Sequence, residues 1–141
     1  MNYETLAEEF LQICLKSSYV RVSRELSNAI KPGIFILLYL KKQGGKAYPK
    51  DLSNEFIVSS ARIAALLNKL EDEKYIQRYC DEKDNRQTIV QLSEKGEALI
   101  VDKRNEIVHR LSKMLELLGS DDAEEYIRLQ KKLCQAINES F

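Results

Sequence analysis

The chain has 141 residues, 22 basic and 22 acidic, so its formal charge at neutral pH is zero. This length fits one domain or one protomer of an oligomer, and the balanced charge argues against a purely electrostatic DNA binder. No apolar run reaches the roughly 18 residues that span a bilayer, and no signal peptide is evident. Three scattered cysteines and a single histidine predict neither a disulfide framework nor a zinc site. We therefore expect a cytoplasmic protein that needs no cofactor, no metal and no membrane.

The first third of the chain reads as helix. Residues 2 to about 30 carry an apolar stripe that includes Leu6, Phe10 and Ile13, with room for a bend near Lys16. Pro32 suits the first turn of a short helix that is apolar nearly all round, which predicts a buried core helix. Residues 46–48 then fit a brief strand.

Residues 48–96 predict a winged helix, in which a helix-turn-helix precedes a β-hairpin. Pro49 suits the start of the first helix, and Ser59 or Ser60 can cap the second. From Ile76 the apolar period changes to about two, and an all-polar turn joins the two predicted strands. The apolar stripe of the second helix consists of Ile63, Leu66, Leu67 and Leu70. Its opposite face has the size and surface to enter a DNA major groove.

The hairpin resembles the wing signature of MarR-type transcriptional regulators. Asp84 is followed two residues later by Arg86, then by Leu92-Ser93 and by Gly96 near the start of a long helix. The resemblance implies a mainly α fold with a small β-wing (α+β), made of a winged helix-turn-helix flanked by dimerisation helices. The implied parts are an N-terminal dimerisation helix at 1–31, a DNA-binding region at 32–96 and C-terminal dimerisation helices at 97–141.

The C-terminal third predicts a helix from about Glu94 to Leu118 and a last helix that begins at Ser120. Tyr126, Leu133 and Ile137 share one face of the last helix, and Phe141 flanks it. The terminal helices carry more apolar surface than a winged helix of about 50 residues can cover. They either cap their own domain or pack on a second copy, and the resemblance implies a two-fold dimer.

Nine residues are predicted to contact DNA. In the second helix these are Ser59, Ser60, Ala61, Arg62, Ala65 and Lys69, where small side chains permit close approach to bases and Arg62 can reach a guanine edge. In the wing they are Lys83, Asp84 and Arg86, with Arg86 in the minor groove and Asp84 fixing the hairpin. The alternatives are a solvated helix face and a surface ion pair. The MarR family often has arginine at the position of Ala65, so one usual contact is missing.

Four further positions are of interest. Tyr39 and His109 could line an effector pocket, although a lone histidine is more often simply exposed. Cys14 lies where peroxide-sensing members of the resembled family keep a reactive thiol, although a free cysteine usually fills a core. Lys74 stands where the family usually has a helix-ending glycine, which leaves open how that bend is built, since a left-handed lysine costs about 1 kcal/mol.

These patterns predict a sequence-specific DNA-binding transcriptional regulator. The resemblance to the MarR family implies a homodimeric repressor that binds a pseudo-palindromic operator and is released by a small-molecule effector. Residues 46–96 carry nine basic and nine acidic side chains, so any positive surface requires Glu71, Asp72 and Glu73 to lie away from the basic residues. One alternative is a winged-helix protein-interaction module without DNA binding, and another is a redox-sensing regulator that uses Cys14. An enzyme is not expected, because no nucleophile–base pair, phosphate loop or metal cluster is evident.

Overall fold

The computed structural model of the protein describes residues 2–140, apart from the side chain of Ala29, so Phe141 and its predicted place beside the last helix lie outside the described residues. The helices are α1 Tyr3–Cys14, α2 Ser17–Ala29, α3 Pro32–Lys42, α4 Pro49–Phe56, α5 Ser60–Asp72, α6 Glu94–Glu116 and α7 Ser120–Ser140. The strands are β1 Lys46–Ala47, β2 Ile76–Cys80 and β3 Thr88–Leu92. This architecture is the predicted mainly α fold with a small β-wing.

The described chain forms two compact units, the first ending at Asn105 and the second beginning at Glu106. The first unit has one core, to which α3 contributes Ile36, Leu37 and Leu40, each at most 1% exposed. This confirms α3 as the predicted core helix. The other buried members of the core are Leu52, Ile63, Leu67, Leu70, Ile76, Val90 and Ile100. The helix-turn-helix, the sheet and the start of α6 thus pack around one hydrophobic core.

The wing is a three-stranded antiparallel sheet in the order β1-β3-β2. The hairpin register pairs Ile76 with Leu92 and Cys80 with Thr88, and β1 joins through Lys46 opposite Gln91. Ile76 and Val90 point into the core. The predicted brief strand before α4 is therefore present, and it closes one edge of the wing.

The helix predicted over residues 2–30, with room for a bend near Lys16, is two helices, because it breaks between Cys14 and Ser17. Lys16 has an extended backbone, with φ −77° and ψ 141°, and it occupies the N-cap position of α2. The amide of Lys16 bonds the carbonyl oxygen of Ile13 at 3.0 Å, a tight last turn that ends α1. The local sequence Lys16-Ser17-Ser18 supplies no apolar side chain to carry a continuous stripe through the bend.

The junction of α5, the hairpin and α6 is tightly built. Lys74 takes the left-handed conformation, with φ 68°, so the bend after α5 uses the backbone geometry that a glycine would provide. The Ser93 hydroxyl donates to the carbonyl oxygen of Lys74 at 2.6 Å and accepts from the amide of Gly96 at 3.0 Å. A Cβ on Gly96 would lie 2.1 Å from the carbonyl oxygen of Tyr75. Gly96 is therefore required by close backbone approach.

The second unit contains the end of α6 and all of α7. Its apolar side chains on α7 remain exposed, including the predicted stripe of Tyr126, Leu133 and Ile137. Among residues 2–140, no helix is long and apolar enough to cross a membrane.

We expect Gly96→Ala to lower the free energy of unfolding by about 1–3 kcal/mol, because the new methyl group overpacks the junction against backbone. Gly33→Ala is the matched control, since its Cβ would meet only a Leu70 methyl group at an ordinary 3.5 Å. Urea unfolding at fixed protein concentration measures both variants. Equal stability of Gly96→Ala and the parent would contradict the close approach.

We expect Lys74→Gly to raise the free energy of unfolding by about 0.5–1 kcal/mol. Glycine removes the cost of the left-handed backbone, and part of this gain is offset by greater freedom of the unfolded chain. Lys74→Ala removes the same charge but keeps the strain, so it should not stabilise the protein. Thermal melting of the three proteins distinguishes backbone strain from a charge effect.

Candidate nucleic-acid interface

Helix α5 begins with a capping bond and buries one stripe. The Ser59 hydroxyl accepts from the amide of Arg62 at 3.2 Å, so Ser59 rather than Ser60 is the cap. Ile63, Leu67 and Leu70 are buried. Because an α-helix advances about 100° per residue, burial of this stripe leaves the opposite face free. All six predicted contact residues at the helix, Ser59, Ser60, Ala61, Arg62, Ala65 and Lys69, are exposed.

The exposed face of α5 has a neutral centre and a basic flank. Ala61, Ala65 and Asn68 follow the i, i+4, i+7 spacing of one stripe, opposite the buried residues. Arg62 and Lys69 are seven positions apart and share one flank of that stripe. The face therefore offers close approach along its centre and positive charge along one side.

The acidic residues near the end of α5 are partly neutralised by β2. The Arg78 guanidinium bonds both carboxylate oxygens of Glu71, with Nε to Oε2 at 3.2 Å and Nη2 to Oε1 at 3.0 Å. These bonds lower the pKa of Glu71 and raise that of Arg78. Arg78 Nη2 also donates to Oδ1 of Asn68 at 2.7 Å. Asp72 and Glu73 remain exposed at the C-terminal end of the helix.

The tip of the wing holds its basic side chains in solvent. Asp84 Oδ1 accepts from the backbone amide of Arg86 at 3.1 Å and lies 3.8 Å from its Nε. The Arg86 side chain is 96% exposed. Lys83 is exposed as well. Asp84 thus shapes the turn, while Arg86 projects from it with its guanidinium available.

The turn end of the hairpin is tied to the start of α4 by a hydrogen bond that the sequence pattern did not predict. The Tyr48 hydroxyl donates to Oδ2 of Asp81 at 2.6 Å, and Oδ1 of Asp81 accepts from the amide of Lys83 at 3.0 Å. The bond from Tyr48, helped by that amide, lowers the pKa of Asp81, and the same bond raises the pKa of Tyr48. The Asp81 carboxylate is thereby hydrogen-bonded within the protein, and the residue is only 7% exposed.

The remaining predicted site residues lie in separate places. Tyr39 on α3 packs edge-on against Phe56, with 5.6 Å between the ring centroids, and its pKa is raised by burial and then by nearby Glu55 and Asp51. His109 is exposed on α6 in the second unit. Cys14 is half-buried in α1 and forms no disulfide. Within residues 2–140, no group of histidine, cysteine and acidic residues has a metal-binding arrangement.

The structure thus adds Asn68, Arg78, Tyr48 and Asp81 to the residues that shape this surface. Helical spacing from Ala61 and Ala65 was sufficient to find Asn68. No local signal indicates the Tyr48–Asp81 bond, because its partners are 33 residues apart.

Comparison with known proteins identifies the family. The family model described as transcriptional regulator SarA/Rot matches residues 25–103, more than half of the chain. A search of proteins of curated function found no match.

Solved structures share the fold. A MarR transcriptional regulator from Methanosarcina mazei Go1 is 20% identical, with a TM-score of 0.77 over 94% of this chain and 99% of that one. MepR from S. aureus, in a complex with DNA, is also 20% identical, with a TM-score of 0.71 over 86% of this chain and 98% of that one. The organohalide-sensing regulator RdhR-CbdbA1625, bound to 2,4-dichlorophenol, is 22% identical, with a TM-score of 0.69 over 99% of this chain and 85% of that one.

The MarR-type winged-helix fold expected from the wing signature is therefore confirmed. Family and fold are those of transcriptional regulators rather than enzymes. The chain belongs to the SarA/Rot family of winged-helix transcriptional regulators.

Proposed function

We propose that this regulator binds a pseudo-palindromic operator as a homodimer, with α5 of each protomer in the major groove and Arg86 in the minor groove. The observation that carries this proposal is the free face of α5. It combines a small-residue stripe with a basic flank formed by Arg62 and Lys69, while Arg78 pairs with the nearby Glu71. Small side chains allow a helix to approach bases closely, and flanking cations favour the adjacent phosphates.

A structural relative supports the DNA partner. MepR, which has the same fold, is known in a complex with DNA. The zero net charge does not oppose this reading, since local sorting decides the potential of the surface. Sequence-specific contact by Ser59, Ser60, Ala61, Arg62, Ala65, Lys69, Lys83, Asp84 and Arg86 is part of the proposal.

The homodimer is supported by apolar side chains that the single chain leaves exposed. Leu6, Phe10 and Ile13 form the predicted stripe of α1, and they are 46%, 57% and 46% exposed. Helix α1 buries no residue of its own. An amphipathic helix stabilises a fold only when its apolar face is covered, and a second copy supplies such a surface with two-fold symmetry. Residues 1–31 and 97–141 are accordingly proposed as dimerisation segments.

Repression with release by a small ligand is the finer part of the proposal. It is supported by a relative of the same fold that binds 2,4-dichlorophenol. The first unit contains a mainly apolar cavity of about 380 Å³, lined by Phe35, Phe56 and Arg62 among others. Tyr39 packs on Phe56, close to this aromatic group, whereas His109 keeps its effector role only as a sequence prediction.

The two alternatives have weaker support. The balanced charge of residues 46–96 favoured a protein-interaction module. Two of those acidic side chains are bonded inside the protein, Glu71 to Arg78 and Asp81 to Tyr48. Redox sensing by Cys14 gains no support from its half-buried position in α1.

We expect sedimentation at micromolar concentration to give about twice the 16.3 kDa chain mass. The dimer interface should bury well over about 2,000 Å², as in obligate homodimers. A Leu6→Glu/Phe10→Glu double variant should shift toward the monomer, because burying two carboxylates is costly. Ile57→Asn is the matched control, since Ile57 is 90% exposed in the turn before α5 and asparagine tolerates its left-handed backbone. A parent that sediments as a stable monomer would remove the two-half-site model.

We expect Arg62→Ala and Arg86→Ala to weaken DNA binding in different ways. Loss of Arg62 should cost about 1–3 kcal/mol per half-site and relax base preference at one position. Loss of Arg86 should weaken binding to many sequences and flatten the salt dependence. Affinity for a selected operator is measured at two salt concentrations.

This experiment has two controls, the melting temperature of each variant and the removal of a positive charge far from α5 in sequence. Neither arginine variant should melt much below the parent, since both side chains are exposed. Lys132→Ala removes one positive charge from α7 and should leave base preference unchanged. If both arginine variants bind like the parent, or both unfold, the assignment of these residues to DNA reading fails.

A further inference from the structure

Asn68 is the hydrogen-bonding residue in the middle of the exposed stripe of α5. Ala61 and Ala65, its neighbours on that stripe, carry no polar side-chain atoms. Asp72, which continues the stripe at the last residue of α5, is a carboxylate with no hydrogen to donate. If α5 lies in a major groove, the central stripe can donate a side-chain hydrogen bond to a base only through the Asn68 amide.

Arg78 determines which end of that amide faces outward. A guanidinium group has donors and no acceptor, so the amide must turn its oxygen toward Arg78, and the observed Nη2–Oδ1 distance is 2.7 Å. Arg78 is itself held by two bonds to Glu71. Its side chain is only 26% exposed, which strengthens these charge-assisted bonds. The NH₂ group of Asn68, with its two donors, is left for an external partner.

We propose that Glu71 and Arg78 position Asn68 as a donor-only base reader. An asparagine with both ends free pairs with adenine, accepting from N6 and donating to N7. Here Oδ1 is turned toward Arg78, which removes the outward-facing donor–acceptor pair that adenine needs. Guanine presents two acceptors, N7 and O6, whereas adenine places a competing donor beside its N7. Asn68 should therefore favour guanine over adenine at one position of each half-site.

This inference rests on the proposed DNA binding and adds to it a base preference and two positioning residues. Glu71 and Arg78 need not touch DNA. Their role is to hold the amide in one orientation, so their loss should change which base is preferred and not only the strength of binding.

The test is selection of bound sequences from random DNA by the full-length parent and its variants. The parent should enrich guanine at one position per half-site. Asn68→Ala should lose preference at that position alone and bind the selected operator about tenfold or more weakly. Asn68→Asp keeps a partner for Arg78 but has no donor, and it should change the preference to cytosine, whose N4 group donates.

Arg78→Met tests the positioning role. It frees the amide oxygen, so preference at the same position should shift toward adenine. A merely structural role for Arg78 would lower affinity for all sequences and leave the preferred bases unchanged, which would overturn the proposal. Arg128→Met is the matched control, because it breaks a similar ion pair with Glu125 on α7, at 2.6 Å. It should select the same bases as the parent.

The outcomes separate this proposal from the function on which it rests. If the parent selects an operator and Asn68→Ala selects the same bases at every position, the role of Asn68 is refuted while DNA binding stands. If the parent selects no sequence, the proposed function fails, and the reading of Asn68 fails with it.

Discussion

The close approach of Gly96 to the carbonyl oxygen of Tyr75 is the constraint on which the rest of the first unit depends. It brings the start of α6 against the start of the hairpin, where Ser93 also bonds the carbonyl oxygen of Lys74. A helix, a left-handed turn, two strands and a second helix are thereby joined by close backbone contacts and by one short side chain, that of Ser93. The position of the wing relative to α5 follows from this junction. The proposed contact with two grooves at once would require such fixed geometry, since a small displacement of the wing would separate the two contacts.

The zero net charge of the chain is compatible with DNA binding in part because two acids near the proposed interface, Glu71 and Asp81, have internal partners. Glu71 is held by Arg78, and Asp81 accepts bonds from Tyr48 and from the amide of Lys83. Both carboxyl groups have lowered pKa values. Each charge is compensated by cationic or donor groups of the protein. Exposed cations are present on α5 and at the wing tip, where Arg62, Lys69, Lys83 and Arg86 reach solvent.

Most of the fold could be predicted from local signals. The core stripe of α5, the Ser93 cap and the change of apolar period at Ile76 follow from spacing within a few residues, and all are present. The break at Lys16 was less visible, because a polar interruption of a helix stripe is compatible with either a bend or a continuous helix. The left-handed backbone of Lys74 was uncertain for another reason. Its conformational cost is offset by a hydrogen bond to its carbonyl oxygen from Ser93, which is 19 residues away. The Tyr48–Asp81 bond depends entirely on tertiary structure. A similar limit applies to the nine proposed contact residues: eight are exposed and Asp84 is half-buried, but contact also depends on a partner outside the chain.

The composition of the α5 stripe shows how specificity is distributed if DNA is the partner. The resemblance to the MarR family leads us to expect an arginine at position 65, and this chain has only the methyl group of Ala65 there. Two alanines permit close approach and favour thymine methyl groups, but they cannot discriminate guanine from adenine by hydrogen bonding. That discrimination must come from polar groups at the ends and flanks of the helix and from Asn68. Because such groups are few, the orientation of each one matters more. The Arg78 guanidinium holds the Asn68 amide in a single orientation. It can therefore contribute to specificity without contacting a base itself.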